Sequence, residues 1–420
     1  MFANSGQNYS FGNPYMRNYP VYTVTPKAEK SLRNGHPWVF GEEITNMSEQ
    51  ADNGQLVDVR SVKGAYLGTG WVNEKSKIRV RIISNNTNDK FDEAFFARRI
   101  RYALMYRKHV MGDDFHACRL IFGESDQFPG LVVDRFEDIL VIQSMSVGIE
   151  CRKPMLYRLI VEALRDMGEN IRAIYERGDM ATRALEGLPQ TKAFYAMDGL
   201  ETDLNGHVEI TENGIKFDVN YIDGQKTGYF LDQKYNRLAV MKLAHGRNVL
   251  DCFTHTGAFA LHAAKGGAKH VTAVDISELA IEQARANAER NQLTNIDFVC
   301  ANVFELLTSR YERGEKSDDF IILDPPAFTK SNATARDAFR GYKEINLKAM
   351  RLLPRGGFLA TCSCSHFMKD DMFRQMLAEA SHDACVSLRQ IEARQQGPDH
   401  PILLNVPETN YLKFYLFQVV

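Results

Sequence analysis

Nowhere do these 420 residues hold an apolar run near the ~18 residues of a membrane helix. A helical membrane anchor is therefore not expected. A surplus of charge is missing too: 51 Lys and Arg stand against 53 Asp and Glu, a formal net charge of -2. Such a balance does not advertise nucleic-acid binding, so any basic face must be local. Cysteine is sparse and odd in number, seven in all, and no signal-peptide pattern opens the chain. Both point to reduced thiols and a cytoplasmic location. Cys362 and Cys364 form a C-x-C pair with no second pair at metal-ligand spacing, so no metal is expected. A G-x-G-x-x-G fingerprint is also lacking in the segment where a dinucleotide fold would carry it.

What is present reads as several domains, because one domain rarely reaches this length. Residues 1–20 are rich in Asn, Gly, Pro and Tyr without an apolar period and read as a disordered tail. Residues 21–90 read as a small β-rich module, with residues 55–59 and 78–82 alternating as half-buried strands do. Ten Lys and Arg face eight Asp and Glu across that module, so it is only slightly basic. Within it, Lys75, Lys77, Arg79 and Arg81 alternate. Side chains two apart on a strand share a face, which would make either an RNA-phosphate stripe or a solvated charged edge.

Residues 91–190 read as a central α+β domain. It holds the helical stretch FDEAFFARRIRYALMYRKHV with its basic flank, a hairpin over 131–143, a helix over 153–167 and a strand over 171–176. Residues 191–420 read as the largest domain. After a hairpin from Gly206, apolar strands at 248–252, 271–274, 297–300, 320–323, 357–362 and 414–419 alternate with helices. That order predicts an α/β fold with a doubly wound, mostly parallel, Rossmann-like sheet.

The chemistry gathers at the strand ends. After the first strand comes Asp251-Cys252-Phe253-Thr254-His255-Thr256-Gly257, where Gly257 lets the backbone approach a ligand. Asp275 closes the second strand, where an acid can accept from both ribose hydroxyls. With one glycine in the turn and a carboxylate at its start, a pyrophosphate is disfavoured. The ammonium end of S-adenosylmethionine suits Asp251, and the pattern D-x-F-x-x-x-G looks like the cofactor loop of class I methyltransferases.

Strand 320–323 exits through Asp324-Pro325-Pro326-Ala327-Phe328. Two prolines cannot extend a central strand, so the chain leaves the sheet at the same edge. There Asp324 can hydrogen-bond a base. The next strand ends in Cys362-Ser363-Cys364-Ser365-His366. Cys362 should pack in the sheet as a small hydrophobe. Cys364 could add to C6 of a pyrimidine, making C5 able to accept a methyl group, while Asp324 stabilises charge on the ring at N3.

With these motifs in order, the chain resembles the RlmI-type ribosomal RNA methyltransferases, which methylate C5 of a cytosine in large-subunit (23S) rRNA. The resemblance covers nearly everything after residue 20. It is most specific in Gly224-Gln225-Lys226-Thr227-Gly228-Tyr229-Phe230-Leu231-Asp232-Gln233, in the Asp324-Pro325-Pro326 exit and in Ser363-Cys364-Ser365. Gly35-His36-Pro37-Trp38-Val39-Phe40 resembles the family's N-terminal PUA domain, an RNA-binding module. Leu120-Ile121-Phe122-Gly123-Glu124-Ser125-Asp126 and Tyr175-Glu176-Arg177 resemble its central domain.

The resemblance implies that Cys364 is the nucleophile and that Asp251, Phe253, Thr254, Gly257, Asp275 and Asp324 enclose S-adenosylmethionine. The loop carrying Phe230 should cover the cofactor's methionine end. Two positions depart from the usual pattern. Asn302 stands where an acid commonly holds the adenine amino group; its amide oxygen can still accept that bond. Ala327 stands where many RNA cytosine-C5 enzymes carry a second cysteine, leaving the acceptor of the C5 proton open between His366 and a water. His400 reads as a turn residue. The implied partner is 23S rRNA or a large-subunit precursor, without a membrane, and a homodimer is left open. A guanine methyltransferase of the same fold and a non-enzymatic RNA-binding assembly factor are the competing readings.

Overall fold

The computed structural model describes residues 18–329 and 332–420. Residues 1–17, most of the expected tail, lie outside the described residues. The described residues build three successive sheets and a two-stranded hairpin.

The N-terminal sheet has six strands in the order Trp38–Phe40, Ile78–Ser84, Tyr66–Val72, Leu56–Ser61, Val21–Val24, Ile44–Met47. It closes over Tyr22, Val39, Val57, Val59 and Val80. Gly70 is needed here: a Cβ would lie 2.1 Å from the Arg81 carbonyl oxygen on the neighbouring strand.

The basic stripe expected on this module is not one strand face. The strand starts only at Ile78, and Lys75 and Lys77 are exposed in the turn before it. Arg79 pairs with Glu74. Arg81 pairs with Glu186 at 2.7 Å and is 12% exposed. Alternating cations on paper divide into two solvated lysines and two arginines spent on packing against neighbouring segments.

The central sheet has five strands, ordered Thr191–Phe194, Ala173–Gly178, Ile139–Ser144, Leu131–Phe136, Ala117–Phe122. The pair Leu131–Phe136 and Ile139–Ser144 is the expected hairpin, fully buried along both strands. One face packs on the helices Glu93–Met111 and Lys153–Asp166. The other face buries Ala117, Phe136, Ile139 and Val141 in a single core with Ile210, Phe217 and Val219 of the hairpin His207–Glu212 and Ile215–Asn220.

The last sheet has seven strands in the order Ile296–Cys300, His270–Asp275, Asn248–Cys252, Phe320–Leu323, Phe358–Ser363, Lys413–Val419, Leu388–Arg394. The first five are parallel, and Lys413–Val419 runs antiparallel to both its neighbours. Helices cover both faces, so this is the doubly wound α/β sheet the strand order predicts. Leu388–Arg394 is the strand the periodicity misses. It is an edge strand with Arg389, Glu392 and Arg394 along it, and charge is how exposed edges avoid pairing with other chains.

Candidate active site

The order of the parallel strands brings three acids to one edge. Asp251 pairs with Ala273 and Ile322 on its flanking strands, and those strands end in Asp275 and lead into Asp324. Past Cys252 the chain turns through three residues of positive φ, Phe253 at 64°, His255 at 50° and Gly257 at 82°. Two amides tie the turn down: Thr254 N–H donates to Val274 O at 2.9 Å and Gly257 N–H to Thr254 O at 2.9 Å. At Gly257 a Cβ would meet Leu261 Cδ1 at 2.8 Å and Ala284 Cβ at 3.0 Å. The site therefore needs glycine for conformation and for space.

Asp251 is fully buried. Its Oδ2 accepts from the Thr254 hydroxyl at 2.5 Å, while Oδ1 has no partner among the described residues. Burial pushes this carboxyl up to about 7; the Thr254 bond opposes the shift, and the charges of Asp324 and Asp275 add to it. An orphaned buried carboxylate oxygen is costly unless a ligand completes it. An ammonium group does so by charge and by hydrogen bonding together.

Asp275 is half-buried and already orients the loop: Oδ2 accepts from His255 N–H at 2.9 Å and Oδ1 from Ser277 N–H at 3.0 Å. A carboxylate has lone pairs beyond those two bonds, so ribose hydroxyls can still donate to it. Asn302 caps the helix Val303–Glu312, its side chain accepting from Phe304 N–H at 2.9 Å. One lone pair of that amide oxygen is thus spent on structure, and one remains for an adenine amino group.

Two apolar features escape motif reading. Ile276 is 70% exposed directly after Asp275, a surface on which a flat base can rest. Phe253, Phe304, Phe328 and Tyr342 form a ladder with ring centroids 6.4, 5.9 and 4.6 Å apart. No sequence period links these four, which sit on two loops and two helices brought together only by the fold.

Residues 223–233 close the other side. Arg177 Nη1 donates to Gly224 O at 2.8 Å, the Thr227 hydroxyl to Asp134 at 2.6 Å, and Arg237 Nη2 to Phe230 O at 2.8 Å. Arg237 is itself held bidentate by the fully buried Glu212, at 2.6 and 2.9 Å. The Phe230 ring meets His255 edge-on at 5.3 Å, and Lys226 Nζ lies 4.5 Å from its centroid. This places Phe230 against the turn over residues 253–257.

Asp324 is half-buried and accepts from Gln233 Nε2 at 3.1 Å. Burial, then the charge of Asp232, push it up to about 6. Asp232 behaves oppositely. Burial works against its charge, but Lys226, His400 and the Tyr411 hydroxyl at 2.5 Å hold it well below the carboxylate range.

Cys362 is fully buried in the sheet core, whereas Cys364 is half-buried just beyond the strand. Burial, then Asp324, push the Cys364 thiol up to about 11, with Lys226 and Lys413 pulling the other way. Lys413 Nζ donates to Ser365 O at 2.7 Å and Tyr411 O at 2.8 Å, fixing the turn that carries the thiol. Sequence gives no sign of this lysine; the antiparallel pairing of Ser363 with Lys413 supplies it. His366 is exposed beside Phe367. His400 is buried, with Nδ1 3.0 Å from Asp399 Oδ1. Among the described residues no cluster of His, Cys, Asp and Glu could hold a metal.

Residues 188–418 match the family of S-adenosylmethionine-dependent methyltransferases, and residues 23–85 match the PUA-like domain. The chain belongs to the S-adenosylmethionine-dependent methyltransferase family. A ribosomal RNA large subunit methyltransferase I from Aliivibrio fischeri is 38% identical over 396 residues, 93% of this chain and 97% of the relative. Its counterpart from Salmonella newport is 38% identical over 405 residues, covering 96% and 98%. The RlmI-type resemblance thus holds over nearly the whole chain.

Among solved structures, a methyltransferase from Streptococcus mutans superposes with a TM-score of 0.79 at 22% identity, over 95% of this chain and 100% of that one. A methyltransferase complexed with SAH gives 0.80 at 22% identity, with the same coverage. These share the fold. S-adenosylmethionine is the cofactor of this family, and the unpartnered Asp251 oxygen beside Gly257 fits its ammonium end.

Proposed function

We propose that this protein methylates C5 of a cytosine in large-subunit ribosomal RNA, with Cys364 as the nucleophile. The carrying observation is a half-buried thiol at a strand tip, within the electrostatic reach of Asp324, on the edge where Asp251 awaits a cation. A guanine methyltransferase needs no thiol there, because a ring nitrogen attacks the donor directly. The relatives' name supplies the RNA class.

Asp251, Phe253, Thr254, Gly257, Asp275 and Asn302 would hold S-adenosylmethionine, with Phe230 over its methionine end. When bound, it supplies an electrophilic methyl group on a sulfonium. Burial holds the Cys364 thiol protonated at neutral pH, so the proton must leave as the sulfur attacks, and Asp324 at the same strand edge is the base we assign to it. As the sulfur–C6 bond forms, Asp324 passes the proton to N3, and the ring electrons move to C5. C5 then accepts the methyl group. His366 or a water then takes the C5 proton, and the C6–sulfur bond breaks to expel the thiolate. Asp324 carries the N3 proton back to the sulfur, which restores both the aromatic ring and the thiol. A cytosine inside a stacked helix cannot present C6 to a thiol, so the base must be flipped out or single-stranded. Lys75 and Lys77, exposed on the N-terminal module, are free to contact phosphates.

The test is methylation of unmodified 23S rRNA followed by nucleoside mass spectrometry. We expect 5-methylcytidine with the wild-type chain and none with Cys364→Ala. A methylated guanosine that survives Cys364→Ala would transfer the chain to the guanine reading. Failure to bind S-adenosylmethionine at all would favour the assembly-factor reading.

A further inference from the structure

The helix Glu93–Met111 carries an exposed stripe that the crevice does not use. Residues 94–112 contain five Lys and Arg and no Asp or Glu. Two of the five are spent inside the protein. Arg99 donates to Ile83 O and Gln127 O, and Arg107 is buried against Asp126 at 2.5 and 2.7 Å. Arg98 and Arg101 are exposed, Arg98 in a loose pair with Asp89 at 3.4 Å.

At 3.6 residues per turn, Arg98, Arg101, Tyr102, Met105 and Tyr106 share one face, opposite the buried Phe96, Ile100 and Leu104. Tyr102 is 65% exposed, Met105 54% and Tyr106 39%. Large rings left in water beside exposed guanidinium groups are an unusual use of surface. They are the chemistry that stacks bases and holds phosphates of a single strand. Arg98, Arg99 and Tyr102 also line an open cleft of ≈ 370 Å³. Ser125, whose hydroxyl has no partner among the described residues, lines it too. The acids of that cleft are engaged, Asp89 with Arg98 and Asp126 with Arg107.

The ends of the stripe decide its meaning. At one end Arg99 grips Ile83 on the N-terminal sheet. At the other the Tyr106 hydroxyl donates to Pro398 O at 2.9 Å. The neighbouring Gly397 N–H donates to Asp232 O at 2.9 Å, and Gln233 donates to Asp324. The intervening helix rises about 10 Å. We infer that this face of the Glu93–Met111 helix is a track for single-stranded RNA. It carries the strand from the PUA-like domain to the crevice, with Arg98 and Arg101 on phosphates and Tyr102 under a base. The inference rests on the RNA reading proposed above.

It is tested by fluorescence anisotropy with a labelled single-stranded oligoribonucleotide across a salt series, using the full chain. Arg98→Ala/Arg101→Ala should weaken binding about 10-fold at physiological salt. The salt slope should flatten by roughly 1.4, near 0.7 for each lost phosphate contact. Tyr102→Ala should weaken binding about 5- to 10-fold, and Tyr102→Phe should restore it, because stacking needs the ring and not the hydroxyl. Melting temperature and S-adenosylmethionine affinity should stay at wild-type values in all of them, separating a lost contact from a lost fold. If wild type and variants bind RNA alike, the track is wrong and the RNA reading stands. If the wild type binds no RNA, both fail together. A wild-type dimer that Tyr102→Ala converts to monomer, with RNA affinity unchanged, would make the stripe a contact between copies and overturn the track.

Discussion

At Asp251 pH and stability meet and, on the reading proposed above, so does the cofactor. Its carboxyl is about 7 in the folded chain against an ordinary 3.8. The folded state thus binds the proton more tightly than the unfolded state. The sign follows: from this group, stability falls as pH rises from about 4 to about 7. A cationic ligand on the orphan oxygen offsets that loss and binds best to the ionised form. We therefore expect saturating S-adenosylmethionine to raise the melting temperature more at pH 8 than at pH 6, with affinity falling below about pH 7. Calorimetric titration at the two pH values checks it, and Asp251→Asn should abolish the pH dependence. Equal affinities at both pH values would remove the ammonium from this carboxylate. The motif D-x-F-x-x-x-G made Asp251 legible in sequence. Its unpaired oxygen was not, because that depends on which side chains reach it.

At the scale of elements, residues 253–257 form a strand-to-helix turn held in an uncommon conformation. Three residues of positive φ in five cost conformational energy, and only Gly257 bears it without a side chain. Gly257→Ala places a Cβ at φ 82° against Leu261 and Ala284. It should destabilise the chain by ~1–2 kcal/mol, the usual cost of a left-handed residue with a side chain. Thermal denaturation reads this, and the cofactor should bind more weakly because the loop moves. An unchanged melting temperature would mean the turn relaxes freely. The helix Glu93–Met111 and the parallel strands could be read from period and composition. The edge strand Leu388–Arg394 could not, since its charged sequence carries no core face.

At the scale of the molecule, the central and C-terminal sheets share one hydrophobic core. Thr227 reaches Asp134, Arg177 holds Gly224, and Lys234 donates to Ala117 O at 3.0 Å from a buried position. The loop that closes the crevice is therefore anchored by residues far from it in sequence. We expect residues 191–420, expressed alone, to lose cooperative melting and to expose apolar surface. Circular dichroism and dye binding check this, and a sharp transition in the fragment would show that its core suffices.

What the sequence determined by itself is local and periodic. Strand spacing, the proline exit after Asp324, the single glycine of the cofactor loop and the two thiols at one strand end are all written within short stretches. Together they dictate an α/β methyltransferase fold and its cofactor. That Cys362 lies in the core and Cys364 at the strand tip was already legible, because the first falls within the strand and the second just past its end. The surroundings of each were decided only by the tertiary structure. It alone spent Arg79 and Arg81 on ion pairs, brought Lys413 beneath the thiol turn, and left Arg101 and Tyr102 facing solvent. Such choices depend on which distant segment arrives alongside, and burial sets the ionisation of each group only after it has arrived.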